Sequence, residues 1–157
     1  MENGAVKILN YEPEFQPWFE KFNRDWIERF FEMEPIDFDV LQNPNDHIIN
    51  KGGFIFMAQY NHEMAGTVAL KYAKPGVYEF TKMAVDEKFQ GKKIGLALAE
   101  HAIRKAKALK ASEIILYSNT KLLAAIQLYK KIGFREVPLD KAYKRSNIKM
   151  ELELTKL

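Results

Sequence analysis

The 157-residue sequence contains no cysteine. That absence excludes disulfides, thiolate metal sites and a cysteine nucleophile together. Histidine is scarce: His47, His62 and His101 lie far apart, and none has a spacing that suits metal ligation. No metal is expected. No apolar run approaches the ~18 residues that a membrane-spanning helix needs. Met1-Glu2-Asn3-Gly4 has neither the basic start nor the apolar stretch of a secretion signal. The expectation is a cytoplasmic protein without membrane contact. Charge is nearly balanced, with 24 Lys and Arg against 21 Asp and Glu, and a net +3 does not demand a nucleic-acid partner. Repeats, linkers and low-complexity segments are missing as well, so residues 1–157 read as a single domain.

What is present is a regular alternation of elements. Val6 to Tyr11 reads as a strand ended by Pro13. From Phe15 to Phe31, Trp18, Phe22, Trp26 and Phe30 recur every fourth residue with Phe15 and Phe19 alongside, which predicts an amphipathic helix with an aromatic core face. A short helix is expected over Ile36 to Gln42, between Pro35 and Pro44. Phe54 to Tyr60, Gly66 to Tyr72 and Val77 to Val85 follow as strands joined by Asn61-His62-Glu63 and Lys74-Pro75-Gly76, an antiparallel meander. A helix from Ile94, a strand Glu113 to Tyr117, a helix Lys121 to Ile132 capped by Gly133, and strands Phe134 to Val137 and Asn147 to Leu154 complete the chain. The strand–helix–strand unit from Val77 to Tyr117 implies a parallel pair inside a mixed sheet. The class is α/β (α+β), with about seven mostly antiparallel strands and about four helices.

The stretch after Val85 carries the chemistry. A strand ends, a polar turn follows, and a helix begins near Ile94 or Gly95. Helix-start amides lack intrahelical partners and lie at the positive end of the dipole. Gly91 and Gly95 allow close approach of a ligand to the backbone, and Lys92 and Lys93 add charge. This is an anion site suited to a pyrophosphate. Neither Gly-x-Gly-x-x-Gly nor a glycine-rich run ending in Gly-Lys-Ser/Thr is present.

Gln90-Gly91-Lys92-Lys93-Ile94-Gly95 resembles the acetyl-coenzyme A motif of the GNAT acetyltransferases, Gln/Arg-x-x-Gly-x-Gly/Ala. Lys82-Met83-Ala84-Val85 is similar to the strand that precedes it in that family. Leu128-Tyr129-Lys130-Lys131-Ile132-Gly133-Phe134 is similar to its second signature. The resemblance covers about two-thirds of the chain, from Phe54 onward. It departs at Lys93, where the family usually has glycine, and at Leu122, where many members have an asparagine that contacts the pantetheine arm. Asn119, three residues earlier, is the expected substitute.

The resemblance implies a GNAT-like fold and an N-acetyltransferase that moves an acetyl group from acetyl-coenzyme A to a primary amine. An amine with a pKa near 10 must lose a proton before attack, and a positioned carboxylate is suited to take it. Glu79 matches the family's base, within an apolar strand where desolvation raises a carboxyl pKa. Tyr129 matches the family's acid and can donate to the departing thiolate. By resemblance, the backbone of Met83, Ala84 and Val85 binds the thioester and pantetheine, where an amide aimed at the oxyanion contributes about 3 kcal/mol. Gln90, Gly91, Lys92, Lys93, Ile94 and Gly95 bind the pyrophosphate. Without cysteine, direct attack in a ternary complex is expected rather than an acyl-enzyme. The alternative is a non-catalytic coenzyme A-binding sensor or interaction module. The acceptor, a small molecule or a peptide, is expected to meet Phe30, Phe31, the segment Ile36 to Gln42 with Phe38, and Tyr143 and Arg145. Asp37 and Asp39 are expected to attract a cationic amine. The resemblance also allows a homodimer.

Overall fold

The computed structural model describes residues 5–140 and 144–154. The meander appears as read: β1 (Val6–Asn10), β2 (Phe54–Tyr60), β3 (Glu63–Lys74) and β4 (Val77–Val85) pair antiparallel in succession. Asn61 and His62 both adopt positive φ between β2 and β3, as a tight hairpin matching the strand twist requires. β5 (Glu113–Ser118) lies parallel to β4, joined to it by the crossover helix α4 (Ile94–Ala108). β7 (Ile148–Glu153) pairs antiparallel with β5, and β6 (Arg135–Val137) lies outside it. The result is one mixed, mostly antiparallel seven-stranded sheet of order β1-β2-β3-β4-β5-β7-β6.

The other helices are α1 (Gln16–Phe30), α2 (Pro35–Gln42), α3 (Pro44–His47) and α5 (Leu123–Ile132). The single turn α3 is the addition to the four expected. Among the described residues no helix is long and apolar enough to cross a membrane.

The strand alternation sorts side chains onto two faces. Ile55, Met57 and Ala69 meet Phe19 and Ile27 of α1 and Leu41 of α2, whereas Phe56, Ala58, Val68 and Leu70 share a core with Leu98, Ala102 and Ile126 of α4 and α5. Central strands buried on both faces are held in register by both cores.

The aromatic stripe of α1 is its core face only in part, with Phe15 and Trp26 packed against the core at its margins. Phe19, Phe22, Asn23 and Ile27 are buried, while Trp18 and Phe30 are exposed. A spacing of four overshoots the helical repeat of 3.6, so Trp18 and Phe30 are displaced from one another by about 120° around the helix.

Two irregularities in β4 open the sheet. β4 pairs with β5 only over Val77, Tyr78 and Glu79, and beyond Glu79 the two strands part. On its other edge the register with β3 slips between Thr67↔Ala84 and Ala69↔Thr81, so Lys82 and Met83 oppose Val68 alone. This is a β-bulge, and Lys82 takes φ 57° within it. The extra residue reverses the alternation. Tyr78 and Phe80 face the α4–α5 core before the bulge, Met83 and Val85 after it.

Candidate active site

The parting of β4 and β5 leaves a cavity of about 410 Å³ that crosses the plane of the sheet. On one side it is walled by Asn23, Trp26 and Ile27 of α1 and Ile36 and Val40 of α2. On the other it reaches Leu122, Ala125 and Tyr129 at α5. Glu79, Thr81, Lys82 and Met83 of β4 form one lip, and Leu116, Tyr117 and Ser118 of β5 the other.

Glu79 and Tyr129, far apart in sequence, both line this cavity. Glu79 is 9% exposed and lies directly opposite Lys71 in the β3–β4 register. The Tyr129 ring is clamped edge-on between Phe80 and Phe134, at centroid distances of 5.8 and 5.9 Å. Burial pushes its phenol up to about 12, so the proton stays on the oxygen through the working range. Its hydroxyl has no hydrogen-bond partner among the described residues and lies on the cavity wall.

The turn after β4 has the geometry of an anion cradle. Asp86 accepts a bond from the Lys88 amide at 3.0 Å, and a short 3-10 turn follows over Glu87–Phe89. The Gln90 side chain donates back to the Val85 carbonyl at 3.3 Å. Gly91 has φ 80°, with open space where a Cβ would stand. Lys93 sits at the N-cap of α4 in the left-handed region, φ 61° and ψ 27°, a conformation that glycine adopts freely. The amides of Ile94, Gly95 and Leu96 open the helix. A Cβ on Gly95 would lie 3.8 Å from Met83 Cε, so the turn abuts the cavity at Met83. Ala84 and Val85 lie outside the cavity wall, paired with Thr67 and Gly66 of β3.

Asn119 lines the cavity while tying two segments together. Its amide donates to the Arg145 carbonyl at 3.1 Å and its oxygen accepts from the Lys121 amide at 3.0 Å. Leu122 is buried at the start of α5, also on the wall. Among the described residues no group of three or more His, Asp or Glu is placed to hold a metal ion.

The expected acceptor residues divide. Phe31, Ile36, Val40 and Arg145 reach the cavity, Phe30 and Phe38 do not, and Tyr143 lies outside the described residues. Neither aspartate lines the cavity where a cationic amine would enter. Asp37, 3% exposed, is held by Arg145 through Nη1–Oδ2 and Nη2–Oδ1 contacts of 2.8 and 2.6 Å. Asp39 lies outside the wall and meets His47 at 3.0 Å.

Lys82 was not legible as a site residue, because a lysine in a strand reads as a surface position. The bulge turns its side chain toward the α1–α2 side. Desolvation there lowers its ammonium pKa; Asp37 opposes the shift, Arg145 adds to it, Glu79 opposes it and Lys71 adds to it.

The chain is similar to known proteins in both sequence and fold. Residues 13–134 match the sequence model of the Acetyltransferase (GNAT) family. An uncharacterised N-acetyltransferase of Bacillus subtilis is 32% identical over 110 residues, 68% of this chain and 71% of that protein. A GNAT-family acetyltransferase structure from Staphylococcus aureus superposes with a TM-score of 0.87 at 23% identity, covering 96% of this chain and 100% of that one. The PaiA N-acetyltransferase of Thermoplasma acidophilum, solved in complex with coenzyme A, superposes with a TM-score of 0.75 at 18% identity over 95% of this chain and 99% of that one.

Proposed function

Because the chain belongs to the GNAT acetyltransferase family and is an acyltransferase that uses acetyl-coenzyme A, we propose that its one domain, residues 1–157, acetylates a primary amine by direct attack in a ternary complex. The observation that carries this reading is the cavity between β4 and β5. It joins Glu79 on β4 to Tyr129 on α5 and abuts the anion cradle at Met83.

The residues fit the co-substrate. The cradle presents helix-start amides and a glycine open to solvent, and Tyr129 lines the cavity wall. When bound, acetyl-coenzyme A supplies an electrophilic thioester carbonyl and a thiolate leaving group. Gln90, Gly91, Lys92, Lys93, Ile94 and Gly95 hold its pyrophosphate, with the α4 dipole favouring the negative charge. The backbone of Met83, Ala84 and Val85, past the point where β5 leaves β4, orients the thioester end and offers amides to its carbonyl oxygen. Asn119 retains a second amide hydrogen for the pantetheine arm.

Glu79 accepts the proton that the ammonium form of the acceptor must lose, directly or through one water. Tyr129, kept protonated by burial, holds the proton that the departing sulfur needs. With no cysteine in the chain, the amine is the direct nucleophile.

Calorimetric titration with acetyl-coenzyme A, followed by free-thiol release with a panel of amines, tests this reading. Micromolar binding with thiol release on at least one amine is expected. Binding with no release on any amine would instead favour the non-catalytic sensor.

A further inference from the structure

The charge around the cavity is lopsided. Lys51, Lys71, Lys82, Lys144 and Arg145 line it, against the carboxylates Glu34 and Glu79. Some of this charge is already matched. Arg145 is held by Asp37 and lies 3.9 Å from Glu34, and Lys144 lies 3.7 Å from the same glutamate. Lys51, Lys71 and Lys82 have no hydrogen-bond or ion-pair partner among the described residues.

Lys82 is the most informative of the three. It is partly buried, the β4 bulge aims it at the α1–α2 half of the cavity, and it holds a left-handed backbone conformation that costs a lysine energy. Asp37 and Glu79 attract its charge from a distance, but neither touches it, and an incoming anion that does would offset its desolvation further. Lys71 lies on the same face, opposite Glu79 and two residues from Ala69 in the α1–α2 core. The anion cradle for the co-substrate lies at the other end, beyond Met83. The two lysines therefore serve the acceptor side.

We propose that the acceptor is an amine that also carries an anionic group, a carboxylate or a phosphate, held by Lys82 with Lys71 beside it. The inference rests on the acetyltransferase reading and names the substrate class of the same site. Its geometry places the amine near Glu79 and the acid group a few atoms away on the same face of β3 and β4. The apolar wall of Trp26, Ile27 and Val40 packs the chain between them.

The test compares four amines of similar length: γ-aminobutyrate, 3-aminopropyl phosphate, n-pentylamine and 1,4-diaminobutane. Thiol release is expected to show at least about tenfold higher kcat/KM for one of the two anionic amines than for the neutral and cationic ones, the return from one charge-assisted contact. Whichever anionic amine leads identifies the carboxylate or the phosphate. Lys82→Met is expected to shrink that ratio by about tenfold, chiefly through KM, and Lys82→Arg to restore most of it. Lys71→Met provides a second variant with a smaller loss.

Trp26 fluorescence supplies a readout without turnover. N-acetyl-γ-aminobutyrate or N-acetyl-3-aminopropyl phosphate is expected to bind more tightly than N-acetyl-1,4-diaminobutane, with the advantage lost in Lys82→Met. Equal or better turnover of pentylamine or diaminobutane would overturn the anionic acceptor and leave the transferase intact. Lys82-dependent anion binding with no thiol release from any amine would keep the anion site and overturn the transfer. No anion preference in either readout would overturn this proposal.

Discussion

Arg145 grips Asp37 with both arms of its guanidinium across 108 residues of sequence, pinning the start of α2 to the loop before β7. Asp37 also accepts from the Glu34 amide at 2.8 Å, so one carboxylate caps α2 and anchors the cavity's outer wall. Asp37→Ala is expected to lower stability by about 3 kcal/mol, because it leaves Arg145 short of its buried partner. Denaturant unfolding measures this. Desolvation alone would raise the Asp37 carboxyl, but the Arg145 hydrogen bonds, the Glu34 amide and the charges of Arg145 and Lys82 hold it below its ordinary value. A carboxyl held lower in the folded state stabilises above its unfolded pKa of 3.8, and that contribution is lost as pH falls through the folded value. The gap between wild type and Asp37→Ala should therefore narrow below about pH 4. A gap constant down to pH 2 would show that the carboxylate's charge is irrelevant.

Glu79→Gln keeps the shape of the strand and removes the proposed base. Turnover near neutral pH is expected to fall about 100-fold. Below an amine pKa of about 10, each pH unit raises the free-amine fraction tenfold. The variant should therefore recover steadily toward wild type as the assay pH rises. A loss of equal size from pH 7 to pH 9.5 would point to a structural role for Glu79.

Tyr129→Phe removes only an oxygen and leaves the ring between Phe80 and Phe134. Folding stability should hold or rise slightly, since the hydroxyl has no partner among the described residues to lose. The kcat should fall by about 10- to 100-fold with acceptor KM nearly unchanged, the pattern of a group that matters as the sulfur departs. Unchanged kcat in a normally folded variant would remove Tyr129 from the chemistry.

The turn from Gln90 to Gly95 was legible because everything it needs is local: a strand end, glycine, basic residues and a helix start within one stretch. The element order and the seven strands were legible for the same reason, each being an apolar period bounded by turn residues. The bulge at Lys82 was not. It is a two-against-one count between β4 and β3, set by a partner strand whose register no local pattern records. The Asp37–Arg145 pair was hidden by distance along the chain, so Asp37 read as free charge for an amine. On α1 a spacing of four captured Phe22 but carried Trp18 and Phe30 off the buried face, which follows the helical period through Phe19, Phe22, Asn23 and Ile27.

Lys93 offers a test that separates backbone from charge in the anion cradle. Its φ of 61° and ψ of 27° cost an L-residue about 1–2 kcal/mol, and glycine adopts them freely. Glycine also has more chain entropy to lose on folding, roughly 0.5–1 kcal/mol, so the two effects partly offset. Lys93→Gly is expected to raise stability by up to about 1 kcal/mol, or about 2–4 °C in Tm. Lys93→Ala keeps the strain and loses the charge, and should gain nothing. If the backbone amide is what holds the pyrophosphate, both variants should bind acetyl-coenzyme A only a few-fold more weakly, by the same factor and more so at low salt. A tenfold loss in both would make the lysine charge an essential contact. A loss in Lys93→Gly alone would show that the lysine holds the turn in its binding shape, and that the strain at this position is retained for a purpose.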